Sequence, residues 1–292
     1  MDWSISVIGL GLVLVALRDL FHTLWHPAGR GGLSTLVMNA LWRSSRRRTT
    51  PGRIAAVVGP AAMVSVILTW TSIVIAGWTL IYWAHMPDGF AYSPGLDPAQ
   101  RTDLLDALYL SLVALATLGF GDIVPVAGWL RVAVPIQALI GFALLTAAVS
   151  WVGQIYPALT RRRVLALRLA SLRAAREATG SKDEAFAAVL LESLAVEIIH
   201  VRTDLSQHAE TYYFHDGEDS TSLAAMISYA ADLAVEGQLS QRADVRTSAA
   251  MLANALEGLA TVLDRQFLKT KGHTEEIFAA YARDHGHVPV RA

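Results

Sequence analysis

The chain has 292 residues, 53% of them hydrophobic and 17% charged, with a formal net charge of −1 and a mean hydropathy of +0.40. So balanced a charge gives no footprint for nucleic acid, and the absence of cysteine excludes disulfides and thiolate metal sites. The average hides two regimes, long apolar runs within residues 1–158 and ordinary charged, helix-forming sequence from 159 onward.

Three apolar stretches approach the ~20 residues that cross a bilayer. The first runs from Trp3 to Trp25, clean as far as Leu17 and then carrying Arg18, Asp19 and His22. Met1-Asp2 offers no basic leader and no small-residue cleavage site follows, so signal-peptide removal is not expected. After the Pro/Gly-rich turn "HPAGRGGLS", Leu33–Trp42 reads as a short amphipathic helix capped by Ser34 and lying on the inner leaflet. The second apolar stretch, Ile54–Ala84, has no charge, and Pro60 suits a first helical turn, so the helix is expected to begin near there. Trp78, Tyr82 and Trp83 at its far end read as an interfacial aromatic belt.

A turn-rich loop, His85–Thr102, leads to Leu104–Ala116, which is apolar but too short to span and reads as a re-entrant half-helix. Thr102 is its expected N-cap, with Asp103 and Asp106 at the positive end of its dipole. The third spanning stretch covers Gly128–Tyr156. Arginines cluster at Trp42–Arg53 and Arg161–Arg163, whereas the connection between the second and third spans carries only Arg101. The positive-inside rule then places both basic runs and the C-terminus in the cytoplasm, and the N-terminus and the 85–127 connection outside.

Beyond Pro157 no proline occurs until Pro289, and long helices are expected. "SKDE" (Ser181–Glu184) is a capping box opening a helix to about His208. Further helices are expected over Ser220–Glu236, Ser240–Leu268 and Thr274–Asp284. "HDGEDS" (His215–Ser220) reads as a solvated turn whose Asp216 and Asp219 are secondary candidates for a cation.

Between the half-helix and the third span lies "ATLGFGD", Ala116–Asp122. Non-helical backbone at membrane depth is tolerated only against protein or a watery cavity. Glycines at 119 and 121 permit conformations that turn successive carbonyls the same way. Those carbonyls and the Thr117 hydroxyl offer oxygen ligands to a dehydrated alkali cation.

Helix, half-helix, "TLGFGD" and helix together resemble the potassium channel pore family over roughly residues 55–158. That family's filter replaces the hydration shell of K⁺ with a ring of carbonyls. The resemblance implies K⁺ coordination by the carbonyls of Thr117, Leu118, Gly119 and Phe120 and by the Thr117 side chain, with Gly121 and Asp122 at the outer mouth. It implies a homotetramer, since one chain supplies a quarter of the ring. Ala116 stands where the family often has a second threonine, and Leu118 where valine or isoleucine is commoner. Val113 stands where many members carry a carboxylate, which leaves Asp122 to find another partner, expected to be the Tyr109 hydroxyl. Gly141, 20 residues past Gly121, matches the family's inner-helix hinge, and its alternative reading is close helix packing. Pro135 is a second place for a kink. Thr146, Ser150 and Gln154 share a face that either meets an aqueous cavity or bonds neighbouring helices.

Two weaker constellations remain. Asp19, His22 and His26 sit within eight residues on one helix and form a candidate metal site, against the plainer reading of an Arg18–Asp19 pair in a polar interfacial patch. Arg43, Arg46, Arg47 and Arg48 suit anionic lipid headgroups better than voltage sensing.

The expectation is therefore an all-α membrane protein of the plasma membrane. Three transmembrane helices with a re-entrant pore helix and filter are followed by a helical cytosolic domain, in three parts: 1–53, 54–158 and 159–292. It is read as a potassium-selective channel, with no organic cofactor and no catalysis, since no nucleophile motif is present. A weakly selective cation channel and a non-conducting membrane sensor or scaffold are the alternatives.

Overall fold

The computed structural model describes residues 3–24, 31–47, 53–101, 103–180 and 187–291, with side chains for all of these but 45–47 and 53–56. In chain order the elements are α1 (Trp3–Leu24), α2 (Gly32–Arg47), α3 (Arg53–Trp83), β1 (Phe90–Tyr92), α4 (Leu104–Leu115), β2 (Ile123–Pro125), α5 (Leu130–Thr179), α6 (Ala187–Gln207), α7 (Leu223–Gln238), α8 (Ala243–Leu263) and α9 (Thr274–Asp284). Among the described residues three helices are long and apolar enough to cross a membrane: α1, Val57–Trp83 of α3, and α5. The chain divides into two compact units. One comprises Met1–Leu41 and Ala62–Gly153, the other Trp42–Ala61 and Gln154–Ala292.

In the first unit α1 packs on α3 through two glycines. A Cβ on Gly9 would collide with the Gly77 carbonyl oxygen, and one on Gly77 with the Gly9 carbonyl oxygen. Small residues bring helix backbones together where lipid supplies no hydrophobic drive. At the other end of α1, Asp19 is buried and its carboxylate accepts three N–H bonds, from Leu33 N (2.9 Å), Ser34 N (3.1 Å) and Trp70 Nε1 (2.8 Å). Asp19 thus satisfies free N–H groups at the start of α2, whereas Ser34 lies inside the helix and its Oγ donates to Gly31 O (2.9 Å). The expected Ser34 cap and Arg18–Asp19 pair are replaced by this one acceptor.

Several other expectations change. Pro60 lies inside α3 rather than at its start, and the unbroken apolar run outweighs the bond that proline cannot donate. Trp78 and Tyr82 are buried rather than interfacial, leaving only Trp83 of the expected belt exposed. The cap of α4 is Asp103, whose side chain accepts from Asp106 N (3.0 Å), while Thr102 lies outside the described residues. The 181–184 capping box and His26 also lie outside them. The fold is not purely α: β1 and β2 pair antiparallel, with Phe90 opposite Pro125 and Tyr92 opposite Ile123. Helix α5 runs 50 residues without interruption at Pro135 or Pro157.

In the second unit α6–α9 bury Leu194, Ile198, Leu252, Leu259 and Phe278. Arg161, Arg162 and Arg163 of α5 are all paired. Arg161 makes two hydrogen bonds to Asp204 (2.8 and 2.6 Å), and Arg162 and Arg163 share Asp216 (2.9 and 2.6 Å). Arg162 also donates to the carbonyls of Thr211 (2.6 Å) and Phe214 (2.9 Å). The 215–220 turn is therefore no free solvated loop, since Asp216 is buried and Asp219 lies 2.6 Å from His287 Nδ1.

Candidate functional site

Helix α4 forms because an apolar run is started by a capping carboxylate and closed by flexible sequence. Asp103 occupies the cap and Asp106 the first turn, where negative charge meets the positive end of the helix dipole. Arg101 balances Asp106 at 3.1 Å. At the other end the carbonyls of Leu112, Ala114 and Val113 accept from Ala116 N (3.0 Å), Thr117 N (3.1 Å) and Leu118 N (2.9 Å). The chain then leaves the helix.

Its path from there is unusual. Thr117, Gly119 and Gly121 have φ of 57°, 56° and 77°, while Leu118 and Phe120 between them are absent from the left-handed region. Alternation of this kind directs successive carbonyls to one side of the backbone. For glycine the conformation is free of steric cost; for a β-branched threonine it is an outlier, and such outliers concentrate at functional positions. Residues 116–121 are all exposed in the single chain, Leu118 at 57% and Phe120 at 63%. The strip has a supported back and an open front.

Its support comes from three places. Tyr109 Oη donates to Asp122 Oδ2 at 2.6 Å, and the Tyr109 and Phe120 rings lie near parallel at 6.5 Å. Ser93, just beyond β1, donates its N–H to Asp122 O (2.9 Å) and its Oγ–H to Gly121 O (3.3 Å). The pairing of β1 with β2 brings it there. Gly141 of α5 lies where a Cβ would strike the Leu115 carbonyl oxygen, so this glycine has a packing reason of its own.

A fourth support was not expected. Gln137 of α5 is fully buried, accepting from Tyr82 Oη at Oε1 (2.5 Å) and donating from Nε2 to Ser111 O and Ser111 Oγ (2.9 Å each). Ser111 Oγ donates in turn to Ile75 O (3.1 Å). The sequence did carry a signal, a carboxamide in the middle of an apolar helix, which is unfavourable in hydrocarbon unless paired. Ser93 gave none, because only tertiary pairing puts it beside residue 121.

The remaining candidates lie apart from the strip. Thr146, Ser150 and Gln154 are exposed on α5. Asp19 is occupied as described, and no group of three or more His, Asp or Glu placed to hold a metal occurs among the described residues. Arg43 is exposed on α2, while the side chains of Arg46, Arg47 and Arg48 lie outside the described residues.

Residues 68–157, which contain the strip and its supports, match the family model described as ion channel. The chain is also 26% identical over 174 residues to the uncharacterized membrane protein YdjJ of Bacillus subtilis (strain 168), covering 59% of this chain and 50% of that protein. It is 32% identical over 85 residues to Protein LctB of Geobacillus stearothermophilus, covering 27% of this chain and 61% of that protein. The matches thus span about half to three fifths of these relatives' lengths. No solved structure matches with comparable significance.

Proposed function

We propose that the chain forms a homotetrameric, potassium-selective channel of the plasma membrane, with α4 as the pore helix and residues 117–121 as the filter. The observation that carries this reading is the alternation of left-handed residues at Thr117, Gly119 and Gly121 on an exposed strip that follows a short apolar helix. The donors on offer are oxygens only, the carbonyls of Thr117, Leu118, Gly119 and Phe120 and the Thr117 hydroxyl. Such donors suit a hard, weakly polarising cation. Tyr109, Asp122 and Ser93 hold the strip from behind, and Gly121 and Asp122 form its outer mouth. The open front of the strip takes three further copies of the chain, which complete the ring.

Conduction is passive and needs no catalytic group. The second unit lies in the cytoplasm and regulates the pore through α5, which belongs to both units; bending near Gly141 is the proposed gate. Arg43 and its neighbours in α2 meet anionic headgroups of the inner leaflet.

The test is the reversal potential of the purified chain in a planar bilayer, with potassium on one side and sodium on the other. A value far toward the potassium equilibrium potential is expected. A value near zero assigns a weakly selective cation pore instead, and a tetramer without current in either salt assigns a sensor or scaffold.

A further inference from the structure

Helix α5 meets α4 at two carbonyls four residues apart. Gln137 Nε2 donates to Ser111 O, and Gly141 lies against Leu115 O. The two α5 residues are likewise four apart, so one face of α5 follows one face of α4 for a full turn. Leu115 is the last residue of α4, and the next six residues are the strip.

The bonding at Gln137 has a direction. Tyr82 can only donate to Oε1 if Nε2 faces Ser111, and the reversed amide would set Oε1 against the Ser111 carbonyl oxygen. Ser111 Oγ accepts from Nε2 and donates its own hydrogen bond to Ile75 O. Every polar atom of the carboxamide is engaged, and α3, α4 and α5 are joined in one ordered chain of hydrogen bonds. Leucine or valine would fill this buried position at less desolvation cost, so the polar residue contributes position rather than burial.

We propose that Gln137 is a positioning residue for ion selectivity. Through Tyr82 and Ser111 it fixes the end of the pore helix, and with it the spacing of the carbonyls from Thr117 onward. This rests on the channel reading above.

The experiment compares wild type, Gln137→Leu, Ser111→Ala and Tyr82→Phe as full-length chains in bilayers, reading reversal potential alongside thermal unfolding in detergent. Loss of one interhelical bond in a membrane corresponds to about a three- to tenfold change in an equilibrium. The K⁺/Na⁺ permeability ratio is expected to fall by about that factor in Gln137→Leu and Tyr82→Phe. Ser111→Ala should lower it less than Gln137→Leu, because the bond from Gln137 Nε2 to the Ser111 carbonyl remains, and the two changes combined should fall short of additivity. The unfolding temperature reports the structural loss separately, since Gln137→Leu strands the Tyr82 hydroxyl and the Ser111 carbonyl while Tyr82→Phe strands only Gln137 Oε1. Tyr82→Phe removes a single oxygen and carries the test if Gln137→Leu fails to assemble. A selective wild type whose ratio is unchanged in all three variants overturns the positioning role alone. A wild type that passes no cation current, or does so without selectivity, overturns the reading on which it rests.

Discussion

Two residues at the strip set sterics against chemistry. Thr117 holds a β-branched side chain at φ 57°, where its Cβ crowds the backbone. The neighbouring bonds from Thr117 N and Leu118 N to the last carbonyls of α4 help hold it there. Asp122 is the other, a carboxylate at the end of an apolar region whose partner is a phenol rather than a cation. Removing that phenol's oxygen in Tyr109→Phe leaves the ring beside Phe120 and takes only the hydrogen bond. The expected outcome is a reversal potential shifted toward zero and a faster decline of current under maintained voltage. Records indistinguishable from wild type would assign the hold on Asp122 to Ser93 alone.

At the scale of elements, the start of α2 is set by a residue in another helix. Asp19 lies 14 positions before Leu33, so a search of the local sequence for a cap stops at Ser34, which has the right chemistry in the wrong place. The same limit hid Ser93 and the Tyr82–Gln137–Ser111 chain, each of which acts across elements. What the sequence did carry was local or periodic, such as the three apolar spans, the short α4 and the glycine alternation after it. The Tyr109–Asp122 contact was legible for a mixed reason: both ends lie close to the strip, and the position usual for a carboxylate holds Val113. Asp19→Ala strands the Leu33 and Ser34 amides and the Trp70 indole together. With about 1–3 kcal/mol for each buried donor left without a partner, unfolding of the solubilised chain should move several degrees lower. Intrinsic fluorescence should register it early, because Trp70 loses its acceptor. An unchanged transition would show that water replaces the carboxylate without cost.

Across the whole molecule, two different physical regimes share one chain. The first unit is organised by close backbone approach and a few polar links in an apolar setting. The second is a bundle held by core burial and by Arg161, Arg162 and Arg163 of α5, which are matched to Asp204 of α6 and Asp216 of the 215–220 turn. Its response to acid follows from its histidines. Burial pushes the His285 imidazole well below its ordinary value, and the Arg162 guanidinium and His215 push the same way. Burial likewise lowers His215. The unfolded chain takes up these protons near pH 6.5 while the folded chain resists them. Stability is therefore complete above about pH 6.5 and falls as pH drops below it. The urea midpoint of the chain, followed at His285-proximal Trp42, is expected to be lower at pH 5.5 than at 7.5, with a smaller difference in His285→Gln. A midpoint constant across that window would contradict the assignment.

The strip's open front also has a genetic consequence. If four copies close one ring, a damaged copy acts on its neighbours as well as on itself. Gly119 at φ 56° is the sensitive position, because a β-branched residue there is strained whatever space surrounds it. Produced together in equal amounts, wild-type chains and Gly119→Val chains would mix at random, and only about one sixteenth of the assemblies would be free of the variant. The variant should therefore be dominant, and the depth of that dominance would count the subunits without isolating the complex.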